Sequence, residues 1–512
     1  MMRLATEAAG RSGVVARLAG LLLAAGVVGC DGTKPPTPAA RPFEGIKLVV
    51  AVVGDPALLG SVATQRGEWR AQTGADLVLR DGPVDPKALK GVDVVVFPGD
   101  RMGDLVDAGA LAVLPDSAVL PAEPSAEGDG EPVPDALAYK DIAPAFRDQV
   151  AKYGPDRMGL PIGGSALVVA YRRSAFDDPA TREAARAAGL TLEPPKTWDQ
   201  FDALARFFHG RDWDGDGRPG AGVALAWGPD AEGVGDSIFL ARSAGLALHR
   251  DQYSFLLDSE TTGPRVASPP FVEALKALVA LKDSGPPGAE KFDAAAARQA
   301  FRSGQAALLI DRAERAATWS VEGTAVGVAP LPGSKRVYDP SRNAWEDAPT
   351  PNRPSYLPSG GGWLVGVAAS SPNRAAAEGL VKYLAGPDST NRLRAERGFP
   401  MLAVRTTQLA QGLTNPRSAP GVEPRPWADA VGRTLGAEKV APGLRIPGAS
   451  DYLADLAKAR VAAVDGEPPE AALAGLAKAW GERTKALGLD RQTWHHRRSL
   501  NGPTTAAKPP GR

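Results

Sequence analysis

The sequence predicts an α/β protein built on parallel sheets with helices on both faces. Three continuous apolar runs rich in β-branched residues carry this prediction: Lys47–Val53 (KLVVAVV), residues 76–80 (DLVLR) and residues 92–97 (VDVVVF). A helical or polar connection separates each run from the next, as in βαβ units with a sheet buried on both faces. Ligands of such sheets bind beyond the carboxyl ends of the strands. Asp55, after the first run, and Asp100 and Arg101, after the third, are therefore candidate site residues.

Composition excludes several classes of protein. Lys plus Arg and Asp plus Glu each total 59 in 512 residues, so the net charge is zero and no excess of basic residues indicates nucleic-acid binding. Apolar residues make up 44% of the chain, which is normal for a globular protein, and the length predicts two or three compact units. The single cysteine, Cys30, excludes a disulfide framework and a cysteine-based zinc site.

The N-terminal segment has the features of an export signal. Arginines precede an apolar run over residues 18–28, which is too short for a permanent membrane helix. This run ends in Val27-Val28-Gly29-Cys30, which resembles the lipobox of bacterial lipoproteins, where the cysteine is lipidated and becomes the mature N-terminus. We expect a lipoprotein signal peptide over residues 1–29 and a Pro-rich tether over residues 30–42. A buried free cysteine after an ordinary signal peptide is the alternative.

Further along, helices and strands continue to alternate. In PKTWDQFDALARFF, Thr197 and Gln200 are spaced as a capping box that begins a helix, and the aromatic stripe of this helix is expected in the core. The stretch RQAFRSGQAALLIDR predicts a helix that ends at Gly304, followed by a strand over residues 306–310. GGGWLVGVAA predicts a glycine loop that leads into a strand, and SPNRAAAEGLVKYLAGP predicts a helix.

One acidic loop resembles half of a calcium site. The stretch DWDGDGRPGAGV places Asp212, Asp214 and Asp216 at alternate positions, followed by Gly217, as in the first half of an EF-hand loop. The twelfth position holds Val223, where an EF-hand needs a bidentate glutamate. The chain is expected to need no cofactor, with Ca²⁺ at this loop as the alternative to a plain surface turn.

Motifs for catalysis are weak. The sequence GGSAL around Ser165 departs from the Gly-x-Ser-x-Gly nucleophile elbow. Two of the four histidines, His495 and His496, fall in a polar tail over residues 491–512 that is expected to be disordered and unsuited to a metal site. The chain is therefore expected not to be an enzyme.

Several motifs together resemble one family. In order along the chain they include VDVVVFPGDRMGDLVDAGALAVL, YGPDRMGLPIGGSALVVAYRRSAF, PKTWDQFDALARFF, AFRSGQAALLIDR, VGVAPLP, GGGWLVGVAASSPNRAAAEGLVKYLAG and RGFPMLAVR. This order is similar to that of the extracellular solute-binding proteins that feed ABC importers, of the sugar-binding type that includes maltose-binding protein. The stretch over residues 446–480 also looks like the closing helices of the family.

The resemblance implies a two-lobed periplasmic binding protein fold, each lobe a mostly parallel sheet flanked by helices, with hinge crossings between the lobes. The N-terminal lobe is expected over residues 43–165 and 327–369, and the C-terminal lobe over residues 166–326 and 370–490. Crossings are expected near residues 165–170, 326–331 and 368–371. Solute in the cleft would favour closure of the two lobes.

The resemblance also implies which residues bind solute. Asp55 and the pair Asp100 and Arg101 match a carboxylate and an Asp-Arg pair that hydrogen-bond sugar hydroxyls, a role suited to charge-assisted bidentate bonds. Ser165 stands where the relative carries an acidic ligand, and no tryptophan follows residues 310–312, where the family often has one. Four aromatic residues are expected to stack on sugar rings, with core packing as the alternative: Phe97, Trp227, Trp363 and Tyr452.

The function implied is a membrane-anchored extracytoplasmic receptor, in the periplasm or at the cell surface, that passes a sugar or oligosaccharide to the permease subunits of an ABC importer. The partners expected are the solute, the permease and a membrane reached through the lipid; nucleic acid is not expected, and the chain is expected to be a monomer. A lipoprotein that senses a ligand for a signalling partner, or that acts on a glycan as an enzyme, is the alternative.

Overall fold

The computed structural model describes residues 41–82, 89–120, 135–248, 254–320, 322–396, 401–411 and 419–501. The expected signal peptide and Cys30 lie outside the described residues, as does the tether up to residue 40, so lipidation stays a prediction. From Pro42 onward, the described residues belong to one compact unit. None of the helices in these ranges is both long enough and apolar enough to cross a membrane.

The strands of the described ranges are short. They are β1 (Lys47–Val53), β2 (Asp76–Gly82), β3 (Val94–Pro98), β4 (Lys152–Tyr153), β5 (Asp156–Arg157), β6 (Leu160–Gly164), β7 (Leu167–Arg172), β8 (Ala221–Ala224), β9 (Ala306–Arg312), β10 (Val326–Pro330), β11 (Ser334–Asp339), β12 (Ala344–Asn352), β13 (Ser355–Tyr356), β14 (Gly362–Val367) and β15 (Val440–Ala441).

Helices connect and cover these strands. They are α1 (Pro56–Ala63), α2 (Arg66–Thr73), α3 (Met102–Asp107), α4 (Asp116–Val119), α5 (Arg173–Asp177), α6 (Pro179–Ala187), α7 (Trp198–Phe208), α8 (Val234–Ala247), α9 (Pro269–Ala280), α10 (Ala294–Arg302), α11 (Ala316–Trp319), α12 (Arg374–Ala385), α13 (Pro387–Ala395), α14 (Thr406–Ala410), α15 (Pro424–Leu435), α16 (Ala449–Val464), α17 (Pro469–Leu487) and α18 (Leu489–Ser499).

The first lobe is built on a five-stranded sheet in the order β2-β1-β3-β14-β6. Strand β1 runs parallel to β2 and β3, as the sequence predicts, while β14 runs antiparallel to β3 and β6. Val50, Val52, Val94 and Val96 are fully buried, because helices cover both faces and the strands therefore read as continuous apolar runs. Helices α1, α2 and α12 pack against this sheet.

The second lobe is built on a four-stranded sheet in the order β10-β7-β9-β8. Helix α7 packs on β8 and begins with the predicted capping box of Thr197 and Gln200. Helix α10 ends at Arg302, and Gly304 follows with φ of +88°, so the predicted end is confirmed. In this sheet β8 pairs in parallel with β9, and β7 runs antiparallel to its two neighbours β9 and β10.

The two-lobed α/β architecture is therefore confirmed, and so is the prediction of mostly parallel sheets. Strands β1, β2, β3 and β6 share one direction in the first sheet, and β8, β9 and β10 share one direction in the second. One strand in each sheet, β14 in the first and β7 in the second, runs the opposite way. The chain leaves the first sheet through β6 and returns to it through β14, so these two neighbouring strands run in opposite directions. Strand β6 leads toward the second lobe and β14 leads back from it, so these two neighbours cannot be parallel. In the second sheet, β7 enters from the first lobe and has the same effect.

Two predicted lobe boundaries also need correction. Strand β10 pairs with β7 in the second sheet, although residues from 327 onward were expected in the first lobe. Helix α12 packs on β14 and buries Leu380 and Val381 in the core of the first lobe, although residues from 370 onward were expected in the second. Near residue 368 the chain does not cross, because the Ala368 amide donates to the Asp93 carbonyl. The return crossing instead uses the turn Pro358–Gly361.

The polar tail expected to be disordered contains a helix. Helix α18 spans Leu489–Ser499, and His495 and His496 are 0% and 2% exposed. The segment was expected to be disordered because its side chains are polar, but several of them, including those of His495 and His496, bond to polar groups inside the protein. Residues 502–512 lie outside the described residues.

Candidate functional site

The first lobe contributes two loops at the carboxyl ends of β1 and β3. Asp55 follows β1 and caps α1, since its Oδ1 accepts a hydrogen bond of 2.9 Å from the Ala57 amide. After β3 the chain turns through the short 3-10 segment Gly99–Arg101. Gly99 lies so close to Gly360 of the return crossing that a Cβ on either residue would collide with the backbone of the other. The turn that carries Asp100 is thereby fixed against the crossing.

Asp100 lies at this junction and is partly exposed. Burial raises the pKa of the Asp100 carboxyl, although the positive charges of Arg101 and Arg312 oppose the shift. Arg312 belongs to the second lobe, so Asp100 is under the electrostatic influence of both lobes.

Arg101 is held by internal contacts. Its guanidinium donates to Asp104 Oδ2 at 3.2 Å and to Ser450 Oγ at 2.7 Å, and its side chain is 16% exposed. Asp104 also accepts from the Gly448 amide at 2.8 Å, so this network connects the first lobe to the start of α16. The sequence resemblance implies that Arg101 hydrogen-bonds solute, but in this structure its guanidinium has two internal partners and fixes the loop to α16.

The second lobe contributes Arg312 and Glu314 at the end of β9. The Arg312 guanidinium donates to the Glu232 carbonyl at 2.5 Å and to Ser359 Oγ, in the return crossing, at 3.3 Å. Glu314 Oε1 accepts from Ser165 Oγ at 2.5 Å, and Oε2 accepts from the Ala166 amide at 3.4 Å. Ser165 lies in the crossing between β6 and β7, so the side chains of Arg312 and Glu314 both contact segments that join the lobes.

Glu314 brings a carboxylate to Ser165, the position at which the family resemblance implies an acidic ligand and this sequence has a serine. Burial raises the pKa of the Glu314 carboxyl, opposed by the charge of Arg312 and the hydrogen bond from Ser165. Sequence reasoning missed both Arg312 and Glu314, although it applied to β1 and β3 the rule that site residues follow the carboxyl ends of buried strands. The same rule applied to β9 would have found them.

A group of ion pairs supports Arg312 from behind. Arg298 donates to both carboxylate oxygens of Glu232 at 2.8 and 2.7 Å and to Asp311 Oδ2 at 2.7 Å. Burial by itself would raise the pKa of Glu232, but the hydrogen bonds and charge of Arg298 outweigh it and hold that pKa below its ordinary value. Glu232 is therefore fixed as an anion, and its carbonyl orients Arg312.

Three of the four predicted stacking aromatics are core residues. Phe97, Trp227 and Tyr452 are each 0% exposed. Trp227 Nε1 donates to the Leu278 carbonyl at 3.1 Å, and the Tyr452 hydroxyl lies 2.8 Å from Thr484 Oγ1. Their polar atoms are satisfied inside the protein, so the alternative interpretation as core fits these three. Trp363 is partly exposed and lies beside Gly54, at the carboxyl end of β1.

The acidic loop brings three exposed carboxylates together. One oxygen from each of Asp212, Asp214 and Asp216 lies within 4.8 Å of the others. Asp212, however, accepts from the amides of Gly215 and Gly217 at 2.8 and 3.0 Å, which are ordinary turn contacts. Val223, at the twelfth position, is fully buried in β8 and offers no side-chain oxygen. Calcium binding at this loop stays a prediction.

Comparison with protein families decides the class. The model of the bacterial extracellular solute-binding protein family matches residues 60–391, more than half of the 512-residue chain. The chain belongs to this family. The matched residues include the second sheet, every strand of the first sheet except β1, the crossing at Ser165 and the return crossing at Pro358–Gly361. As members of this family are extracytoplasmic binding proteins, this solute-binding protein is expected to act outside the cytoplasm.

Solved structures of the same fold agree with the assignment. A solute-binding protein of Agrobacterium radiobacter in complex with ribitol has a TM-score of 0.60 at 19% identity, covering 86% of this chain and 100% of its own. One from Agrobacterium vitis with bound D-mannitol has a TM-score of 0.58 at 18% identity, covering 86% and 99%. A cyclo/maltodextrin-binding protein complexed with maltotetraose has a TM-score of 0.57 at 19% identity, covering 88% and 100%. The search of curated proteins gave no match.

Proposed function

We propose that this solute-binding protein is the receptor of an ABC importer and binds a sugar or polyol between its lobes. The observation that carries the proposal is the meeting of Asp100, Arg312 and Glu314 at the segments that join the lobes. Carboxylates and a guanidinium can each bond two neighbouring hydroxyls of a polyhydroxylated solute. The ribitol, D-mannitol and maltotetraose bound by proteins of the same fold support this solute class.

The character of the site favours a small, hydroxyl-rich solute over a long oligosaccharide. Trp363 is the partly exposed member of the four aromatics proposed for stacking, while Asp100, Glu314, Arg312 and Ser165 are charged or polar. A polyol offers many hydroxyls and little apolar ring surface, so hydrogen bonds rather than stacking would supply most of its affinity. Maltotetraose offers more ring faces and would depend more strongly on aromatic contacts.

The membrane attachment is part of the same proposal. A lipid on Cys30 would tether the folded lobes through residues 31–42, close to the permease subunits to which the solute is delivered. The Pro-rich composition of this segment supports a spacer. Nothing in the arrangement of the site requires turnover of the solute, and a receptor that closes around its solute needs only reversible binding.

A thermal-shift panel tests the proposed solute class. The full chain is heated with ribitol, D-mannitol, maltose, maltotetraose, and a mixture of amino acids as a control, each at millimolar concentration. Because a solute that binds only the native state stabilises it by mass action, at least one polyol or sugar should raise the melting temperature. A shift with the amino acids alone, or hydrolysis of maltotetraose during incubation, would contradict the proposal.

A further inference from the structure

The C-terminal segment over residues 489–501, named here the strap, follows the pair of helices α16 and α17. That pair packs on α9 of the second lobe. The strap lies beyond residues 60–391, which match the family, and beyond the stretch that resembles the closing helices of the family. Its role is therefore inferred from its own contacts.

One face of the strap is bonded to the first lobe. His495 lies with Nε2 3.0 Å from Asp107 Oδ1 and with Nδ1 3.0 Å from the Tyr153 hydroxyl. Arg491 Nε donates to Asp107 Oδ1 at 2.9 Å, and the Arg498 carbonyl accepts from the Gly154 amide at 2.8 Å. Residues 491, 495 and 498 share one helix face by their spacing, and Asp107 and Tyr153 belong to α3 and β4 of the first lobe.

Another face is bonded to the second lobe. His496 Nε2 lies 2.9 Å from Ser254 Oγ, and Arg497 Nε donates to the Ser259 carbonyl at 2.9 Å. The hydroxyls of Thr493 and Thr262 are also in contact. Residues 254–262 belong to the second lobe, since Phe255 stacks on Phe271 of α9 with ring centroids 5.9 Å apart.

The packing beneath the strap is looser toward the second lobe. A pocket of about 100 Å³ lies there, with Leu248, Phe255, Leu444, His496 and Leu500 among its lining residues. The histidines on the two sides, His495 toward the first lobe and His496 toward the second, are 0% and 2% exposed. The pocket therefore distinguishes the two sides, and the strap should separate from the second lobe first when the lobes move.

We propose that the arrangement described here is the closed one, that the strap holds the two lobes in it, and that the strap thereby sets how often they open. In the same arrangement Arg312 of the second lobe donates to Ser359 Oγ, next to the close contact of Gly360 with Gly99. The contacts of the strap and of the candidate site are therefore made together. The strap would act on the equilibrium between open and closed forms without solute, which is a role beyond solute capture. A strap that favours the closed form increases the fraction of molecules that are competent to bind solute, and this raises the apparent affinity for solute.

Interlobe distance measured without solute tests the proposal. Spin labels are placed at Val78→Cys, an exposed position in β2 of the first lobe, and at Glu183→Cys, an exposed position in α6 of the second, in a full chain carrying Cys30→Ser. The test variant Ser254→Ala with Thr493→Val removes two contacts to the second lobe while preserving shape. The control variant Arg483→Gln removes ion pairs to Asp451 and Asp455 that lie within the pair α16 and α17.

The expected result is a shift of the distance distribution toward longer distances in the test variant and none in the control. With two hydrogen bonds lost, the ratio of closed to open molecules should fall about tenfold. Asp107→Asn, which weakens the attachment to the first lobe, should give the same direction of shift if circular dichroism shows it folded. An unchanged or shorter distance in Ser254→Ala with Thr493→Val would overturn the proposal, whatever happens to the melting temperature.

Discussion

Glu314→Gln removes one charge at the junction of the lobes and keeps the shape of the side chain. Glu314 accepts from Ser165 Oγ at 2.5 Å and from the Ala166 amide at 3.4 Å. Glutamine retains a carbonyl acceptor for Ser165, but its NH2 group cannot accept from the Ala166 amide. A charge-assisted bond becomes a neutral one and the long bond from Ala166 is lost, at a combined cost of about 1 kcal/mol. Because the carboxylate is destabilised by burial, removing the charge offsets part of this cost, and the net change in stability should stay within about 1 kcal/mol.

The pH dependence gives the prediction a sign. The pKa of Glu314 is raised in the folded protein, so the folded state binds the proton more tightly than the unfolded state does. This carboxyl therefore lowers the free energy of unfolding as the pH rises from its unfolded pKa, about 4.3, through its raised folded value. Glu314→Gln should gain stability relative to the parent protein as the pH is raised across that interval, measured by urea unfolding.

Affinity should respond much more strongly than stability. If Glu314 bonds solute hydroxyls, its loss should weaken binding by about 1.5–3 kcal/mol, or about 10- to 150-fold. Isothermal titration with the polyol or sugar that gives a thermal shift measures this change. A fall in stability of several kcal/mol with unchanged affinity would refute the reasoning, since it would make Glu314 a structural partner of Ser165.

Glu232→Gln is the matched control, because it changes the same residue type in the neighbouring group of charges. Glu232 is bonded to Arg298, which is 6% exposed, and its pKa is lowered in the folded protein. Its contribution to stability is therefore present above its unfolded pKa and lost as the pH falls through the folded value. Glu232→Gln should cost about 1–3 kcal/mol of stability with a smaller change in affinity, the opposite pattern to Glu314→Gln.

Three further predictions concern other parts of the chain. Arg101→Ala should lower the free energy of unfolding by about 1–3 kcal/mol, because it removes the bonds of Arg101 to Asp104 and Ser450. If urea unfolding shows a change within about 0.5 kcal/mol and affinity for solute is lost, Arg101 faces solute instead. Burial lowers the pKa of His496 to about 4, so the folded protein should lose about 3 kcal/mol of unfolding free energy through this residue as the pH drops from about 6.5 toward 4. His496→Gln should flatten the dependence of unfolding free energy on pH in that window, and an unchanged slope would contradict this prediction. Cys30→Ala should abolish lipid modification and move the exported protein out of the membrane fraction; mass spectrometry that finds the parent protein unmodified would end the lipoprotein interpretation.

Local sequence was sufficient where an element is defined by its own neighbours. The capping box at Thr197 and the strands β1 and β3 were predicted because apolar period, capping residues and turn residues lie within a few positions of one another. The family resemblance extended this to two lobes and a crossing at Ser165. Asp100 was placed correctly in the loop after β3, since the rule for the carboxyl ends of strands needs only the order of elements.

The sequence by itself determined the α/β class, the family and the loops where a site can form. The tertiary structure decided which side chains meet there: it placed Arg312 and Glu314 beside Asp100 and Ser165, and it enclosed Phe97, Trp227 and Tyr452 in cores. It also ordered a polar C-terminal segment as a helix, through partners such as Asp107, which lies 388 positions before His495. Such pairings depend on distance in space, and a pattern read along the chain contains no information on which distant polar groups will satisfy one another.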